Sequence, residues 1–270
     1  MSDALNARWD GFLKSIKDRF DQIMQESKDG CAQLLADSDY DPIPMGNAWS
    51  AMERRAKELS TKVDETWRQQ VEPKLEEAGA ARPSIEEQSR KGDALRDWME
   101  LEIERTRIAI YCQCARDVAA MDARAESHPC KSCGAPLAVP HTFRVVNVPC
   151  AHCRTVNEYE PGTRTRYVEA SCIHSLCQEA AWNEFVAMHQ AERRFKDTRP
   201  PRALALIQSW EQAQIAYHRK YLTARLQYLP DQAPSFGKDL AGRMEHFYVY
   251  GVNSEVAWID AGRPRAPFGA

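Results

Sequence analysis

Four cysteines carry the densest chemistry in this chain. Cys130 and Cys133 in CKSCGAPL, and Cys150 and Cys153 in VPCAHCRTVN, form two Cys-x-x-Cys pairs with 16 residues between them. That is the spacing of a structural zinc site. Each pair fits a tight turn whose backbone amides can point at sulfur, and two such turns can close a tetrahedral thiolate shell around one Zn²⁺. Four protein ligands leave no open position for water or substrate, so the pattern points to a metal that holds structure. Four thiolates also suit iron; zinc is expected because nothing nearby suggests an electron-transfer partner.

The residues around the pairs have the content of short strands. HTFRVVNV is β-branched and aromatic and leads into the second pair, and TVNEYEPGTRTRYV reads as a hairpin turning at Pro161 and Gly162. Two turns and three short strands are expected. CKSCGAPL and CAHCRTVN resemble the two knuckles of the zinc-ribbon superfamily, a likeness confined to residues 128–168. The resemblance implies that Cys130, Cys133, Cys150 and Cys153 are the ligands of one structural Zn²⁺. It departs from the family at Arg154, which stands where the second knuckle usually has a glycine with positive φ.

Other groups capable of chemistry read as structural. His128, His141 and His152 crowd the module, but four cysteines already complete the shell, so they are expected to be surface or turn residues. Cys172 and His174 lie two residues apart in a helical stretch and project to opposite sides, so they and Cys177 are expected to be ordinary helix residues with buried thiols. Cys112 and Cys114 are read the same way, and Glu100, Glu102 and Glu104 as a solvated charge run. The chain has no P-loop, no Gly-x-Gly-x-x-Gly after a strand, no Gly-x-Ser-x-Gly elbow and no His-Glu-x-x-His. Pro129 precedes Cys130 as in deaminases, but no His-x-Glu exists to accompany it. His189 with Glu192 is a single, reversed version of a di-iron pair. A non-enzymatic role is therefore expected.

Two kinds of partner remain. Residues 128–168 carry Lys131, Arg144, Arg154, Arg164 and Arg166 against Glu158 and Glu160, with Phe143, Tyr159 and Tyr167 interleaved. Such a face could bind nucleic acid by phosphate contact and stacking. The broader expectation is a structural or adaptor protein that binds other proteins through long helices and self-associates. Its last segment, VYGVNSEVAWIDAGRPRAPFGA, contains Tyr250, Val256, Trp258 and Phe268 with little helical period. It is either a docking segment or a tail strapped across its own helices.

The elements that must position these residues are helices. Leu5, Trp9, Phe12, Ile16, Phe20 and Ile23 recur at steps of three and four, and Trp49, Met52, Ala56, Leu59 and Val63 do so again after SDYDPIPMGN. These two helices are expected to form an antiparallel pair, the second running from about Asn47 until Pro73 stops or bends it. Ser84 with Glu87 forms a capping box for a third helix of about 40 residues, striped by Met99, Ile103, Thr106, Ile110, Cys114, Val118 and Met121. Ile108 and Cys112 widen that stripe, as expected of a helix central to a bundle. Val168–Phe195 and Arg202–Leu229 read as a fourth and a fifth helix, the latter apolar on more than one side, and Lys238–Phe247 as a short one.

The fold expected is thus mainly α, with long antiparallel, coiled-coil-like helices and an inserted small β zinc ribbon. Its regions are 1–127 (long helices), 128–168 (ribbon), 169–248 (helices packing on the first region) and 249–270 (an extended tail). A net charge of −3 in 270 residues gives the whole molecule no pull toward nucleic acid or anionic lipid. Met1 to Phe20 lacks the apolar block of a secretory signal, no run approaches a membrane span, and nine cysteines, four of them clustered for metal, suit a reducing compartment, so the expected location is the cytoplasm, without membrane contact.

Overall fold

The computed structural model describes residues 2–122, 128–139 and 144–267. His141, Phe143 and Phe268, singled out above, lie outside them. The fold is mainly α with one small antiparallel β element, and the chain divides into two compact units, Met1–Ala120 and Met121–Ala270.

The first unit is built from α1 (Ser2–Asp37), α2 (Pro42–Thr66), the short α3 (Glu72–Glu77) and α4 (Arg82–Asp122). Trp9 near the start of α1 meets Trp67 just past α2, and Cys31 near its end meets the Met45 carbonyl at the start of α2, so the two helices run antiparallel. The third long helix follows α1 in parallel: Trp9 Nε1 donates to the Gln88 carbonyl, and Phe20 meets Trp98 edge-on. The seams read from the sequence face inward, with Trp9, Ile16, Phe20, Ile23, Trp49, Ala56, Val63, Met99, Ile103 and Val118 buried. Ile108 and Cys112 are buried as well, so α4 is covered on more than one side. Gly92 lets α4 approach α1; a Cβ there would lie 3.0 Å from the Trp9 indole.

Three boundaries differ from the sequence reading. The second helix starts at Pro42, because Pro42 and Pro44 occupy a first turn whose amides need no helical partner, and Asp41 caps it by accepting from Ile43 N. Pro73 does not end the helical run. The wider π turn Trp67–Val71 precedes it and relieves the clash its ring would make with the Gln69 carbonyl. The third long helix opens at Arg82, with the Ala81 carbonyl accepting from Ser84 and Ile85, so Ser84 does not serve as its cap.

The second unit contains β1 (Val146–Pro149), β2 (Val156–Tyr159), α5 (Thr163–Ala180), α6 (Trp182–Asp197), α7 (Leu204–Tyr228), α8 (Phe236–His246) and α9 (Val256–Asp260). Its axis is α7, against which α5, α6 and α8 all pack. Trp210, Tyr217, Tyr221 and Ala224 are buried on one side of it and Ile207, Ile215 and Leu222 on another. The expected fourth helix is broken at Ala181, where no proline or glycine marks a stop. Tertiary packing breaks it: His174 meets Tyr221, while Phe185 and Phe195 meet Tyr217 and Trp210 on the same axis.

Residues after α8 wrap back onto α7. A π turn, Phe247–Gly251, buries Phe247 and Tyr248, and Trp258 on α9 stacks parallel to Tyr248 with its indole donating to the Pro264 carbonyl at 2.8 Å. Glu211, buried on α7, accepts from Tyr248 Oη at 2.6 Å and from the Ala266 amide at 2.9 Å. Between docking and strapping, these contacts make the segment a strap across its own helices. No described helix is long and apolar enough to cross a membrane.

Candidate metal centre

Each cysteine pair sits in a knuckle closed by the same two backbone hydrogen bonds. In the first, Cys130 N donates to the Ala135 carbonyl at 2.7 Å and Gly134 N to the Cys130 carbonyl at 2.9 Å. In the second, Cys150 N donates to Thr155 and Arg154 N to Cys150, both at 2.9 Å. The repeat extends to the backbone angles: Gly134 has φ +73° and Arg154 φ +63°. The knuckle conformation therefore survives the missing glycine, with Arg154 in the left-handed region at a cost of about 1 kcal/mol.

The two knuckles face each other and bring the four sulfurs together. Cys130 Sγ lies 3.6 Å from Cys153 Sγ and Cys133 Sγ 3.7 Å from Cys150 Sγ, and all four lie within 4.8 Å of one another. A regular tetrahedron of about 2.3 Å metal–sulfur bonds has edges of about 3.8 Å. The donor set thus fits one tetrahedral ion bound by sulfur alone. Cys130 and Cys150 are buried, while Cys133 and Cys153 sit at the outer edge.

The thiols are unequal before any ion binds. Backbone amides of Cys133 and Ser132 hold Cys130 down to about 6. Thr155, through its side chain and its amide, holds Cys153 below the usual thiol range. The Ala135 amide acts to lower Cys133, but hydrogen bonding to Cys153, burial and the other two sulfurs push it up to about 12. Four sulfurs this close repel one another as thiolates, and a divalent cation held between them would offset that charge.

One residue at the centre escapes sequence reasoning. Asn157, 3% exposed on β2, accepts from Lys131 N at 2.9 Å, donates to the Thr155 carbonyl at 2.9 Å and points Nδ2 at Cys130 Sγ at 3.5 Å. It ties the first knuckle to the second. Its only signal in the sequence is a polar residue at an inward strand position, beside exposed Val156 and Glu158.

The strands frame the second knuckle, with Val146 paired to Tyr159 and Pro149 to Val156. This corrects the expected hairpin at Pro161 and Gly162. Thr163–Val168 belongs to α5, because buried Thr165, Val168 and Cys172 extend its helical stripe back to that point, and Gly162 is its N-cap. The far arm of that hairpin, the expected third strand, is thus helical, and among the described residues the first knuckle contributes a single bridge, Pro129 to Pro136.

The remaining candidates are dispersed. His128 packs edge-on against Tyr159, and neither it nor His152 joins the sulfur cluster. Cys112, Cys114, Cys172 and Cys177 are fully buried, burial pushing the Cys177 thiol up to about 11, while His174 Nδ1 lies 2.8 Å from Tyr221 Oη. Of the basic set, Arg144 is engaged by Glu169 and Asp231 and Arg166 by Glu160. Lys131, Arg154 and Arg164 lie on the exposed side. The cavity of about 240 Å³ beside the first knuckle sets Lys131 and His128 against Glu158 and Glu160. Comparison of the chain with protein-family profiles, curated proteins and solved structures finds no match.

Proposed function

We propose that Cys130, Cys133, Cys150 and Cys153 hold one structural Zn²⁺ in a zinc-ribbon-like module. On this reading the protein is a non-enzymatic structural or adaptor component of a reducing compartment such as the cytoplasm, binding other proteins through its helices. The observation that carries this reading is the cluster of four sulfurs within 4.8 Å of one another, a set that fills a tetrahedral shell and would leave the ion no position at which to react. Zinc suits it because a d¹⁰ ion has no geometric preference to oppose the shape the knuckles impose. A protein partner is favoured over nucleic acid because at least two of the five cations expected to meet phosphate, Arg144 and Arg166, are held in ion pairs and the neighbouring cavity sets two glutamates beside Lys131.

Metal analysis of the purified chain and of Cys130→Ser and Cys150→Ser tests the site. One zinc per chain is expected in the wild type and less than a tenth of that in either variant. Unchanged zinc in the variants, or iron in the wild type, contradicts the assignment. A gel shift against single-stranded oligonucleotide tests the partner class: no shift at 50 mM salt is expected, whereas a salt-sensitive shift transfers the reading to nucleic acid.

A further inference from the structure

Away from the sulfur cluster, α7 and α8 enclose an open cleft of about 650 Å³. Its lining is His218 and Arg225 from α7, and Lys238, Asp239, Gly242, Arg243 and His246 from α8. His218 and Arg225 are two turns apart on one helix face, and the α8 residues recur at three- and four-residue steps on another. Three permanent cations thus surround one carboxylate, and that carboxylate is already engaged. Asp239 accepts from Arg225 and, at 3.0 Å, from Ser235 Oγ, and the Arg225 guanidinium holds it below the usual range.

The guanidiniums are held in place in advance. Arg243 lies 4.6 Å from the centre of the Tyr221 ring, a neutral support that fixes the group, and its charge also acts on Asp239. Tyr221 is itself anchored by His174. Two lining residues carry a buried nitrogen without a hydrogen-bond partner, Nδ1 of His218 and Nε of Arg225. Beside the cations stands an aromatic ledge: the His246 ring is 4.7 Å from that of Tyr250, which is 77% exposed.

We propose that this cleft binds a nucleoside phosphate, with the phosphate on Arg243 and Lys238 beside the Arg225–Asp239 pair and the base against the His246 and Tyr250 rings. The excess of cations over the single carboxylate selects an anion, planar guanidiniums match phosphate oxygens, and the volume suits a small organic molecule better than a bare ion. The exposed aromatic beside the charge favours a ligand with a flat ring over a sugar phosphate or a lipid headgroup.

The test is calorimetric titration of the full zinc-loaded chain with ADP, pyrophosphate and adenosine, alongside anionic phospholipid vesicles and a single-stranded oligonucleotide. ADP is expected to bind once per chain with a Kd below about 1 mM, pyrophosphate at least threefold more weakly, and adenosine not measurably. Arg243→Gln should weaken ADP binding about tenfold or more. Tyr250→Ala should weaken ADP and leave pyrophosphate unchanged. Because Arg243 also packs on Tyr221, the decisive variant is Gly242→Glu: a Cβ at Gly242 meets nothing within 4 Å, and the change favours the helix while placing a carboxylate in the cleft. It should abolish binding of both ligands with an unchanged or raised Tm. The proposal is overturned by absence of saturable ADP binding, by wild-type affinity in Gly242→Glu, by pyrophosphate binding as tightly as ADP, or by binding to vesicles or oligonucleotide alone.

Discussion

Asn157 shows how much of a candidate metal site lies outside its four sulfurs. Its amide answers an amide of one knuckle and a carbonyl of the other, so truncation leaves both unmet beside the sulfur shell. Asn157→Ala is expected to lower zinc affinity about tenfold or more in competition with a chromophoric chelator, with all four cysteines intact; equal affinity would refute the tie between knuckles. A second residue sets a pH response. Burial, then the Arg243 charge, pushes His218 down to about 4 from the ordinary 6.5. Between those values the unfolded chain binds a proton that the folded chain refuses, so this contribution is complete above pH 6.5 and is lost as pH falls toward 4. The loss is on the order of 3 kcal/mol. Urea midpoints measured at pH 7.5 and 5 should separate less in His218→Leu than in the wild type.

At the scale of elements, the strap following α8 is the feature most open to test. Trp258 is 3% exposed and stacked on Tyr248, and Arg202 pairs with Glu255 at 2.7 Å just ahead of it. Removing so large a buried ring should cost about 3 to 5 kcal/mol. Thermal or urea unfolding of Trp258→Ala should show a loss of that size; less than about 1 kcal/mol would mean that the segment merely rests on the surface. The sequence reveals the long helices through apolar steps of three and four, because each inward stripe repeats with the helical turn. It reveals the cysteine pairs because their chemistry is local. It does not reveal the break at Ala181, which depends on where α7 offers Tyr217 and Tyr221, or the helical start at Thr163, where RTRYV alternates like a strand. Asn157 and the cations between α7 and α8 gain meaning only from neighbours supplied by other elements.

For the molecule as a whole, the division into two units separates the sulfur cluster from part of the fold. The first unit has its own core of Trp9, Phe20, Trp49, Val63 and Met99 and contains none of the four clustered cysteines. A fragment comprising residues 1–122 is therefore expected to fold alone as a helical protein with a cooperative thermal transition, unaffected by chelator. Far-UV circular dichroism with and without EDTA checks this, and a non-cooperative melt would show that its core is insufficient.

The contact between Glu211 and Ala266 also orders events in time. Glu211 leaves the ribosome 55 residues before the amide that completes its coordination. At roughly 5–20 residues per second this carboxylate waits about 3–11 s for its partner. The first unit can settle while translation continues, but the second cannot close until Ala266 has emerged, which makes the nascent second unit the chain's window of exposure to chaperones and proteases.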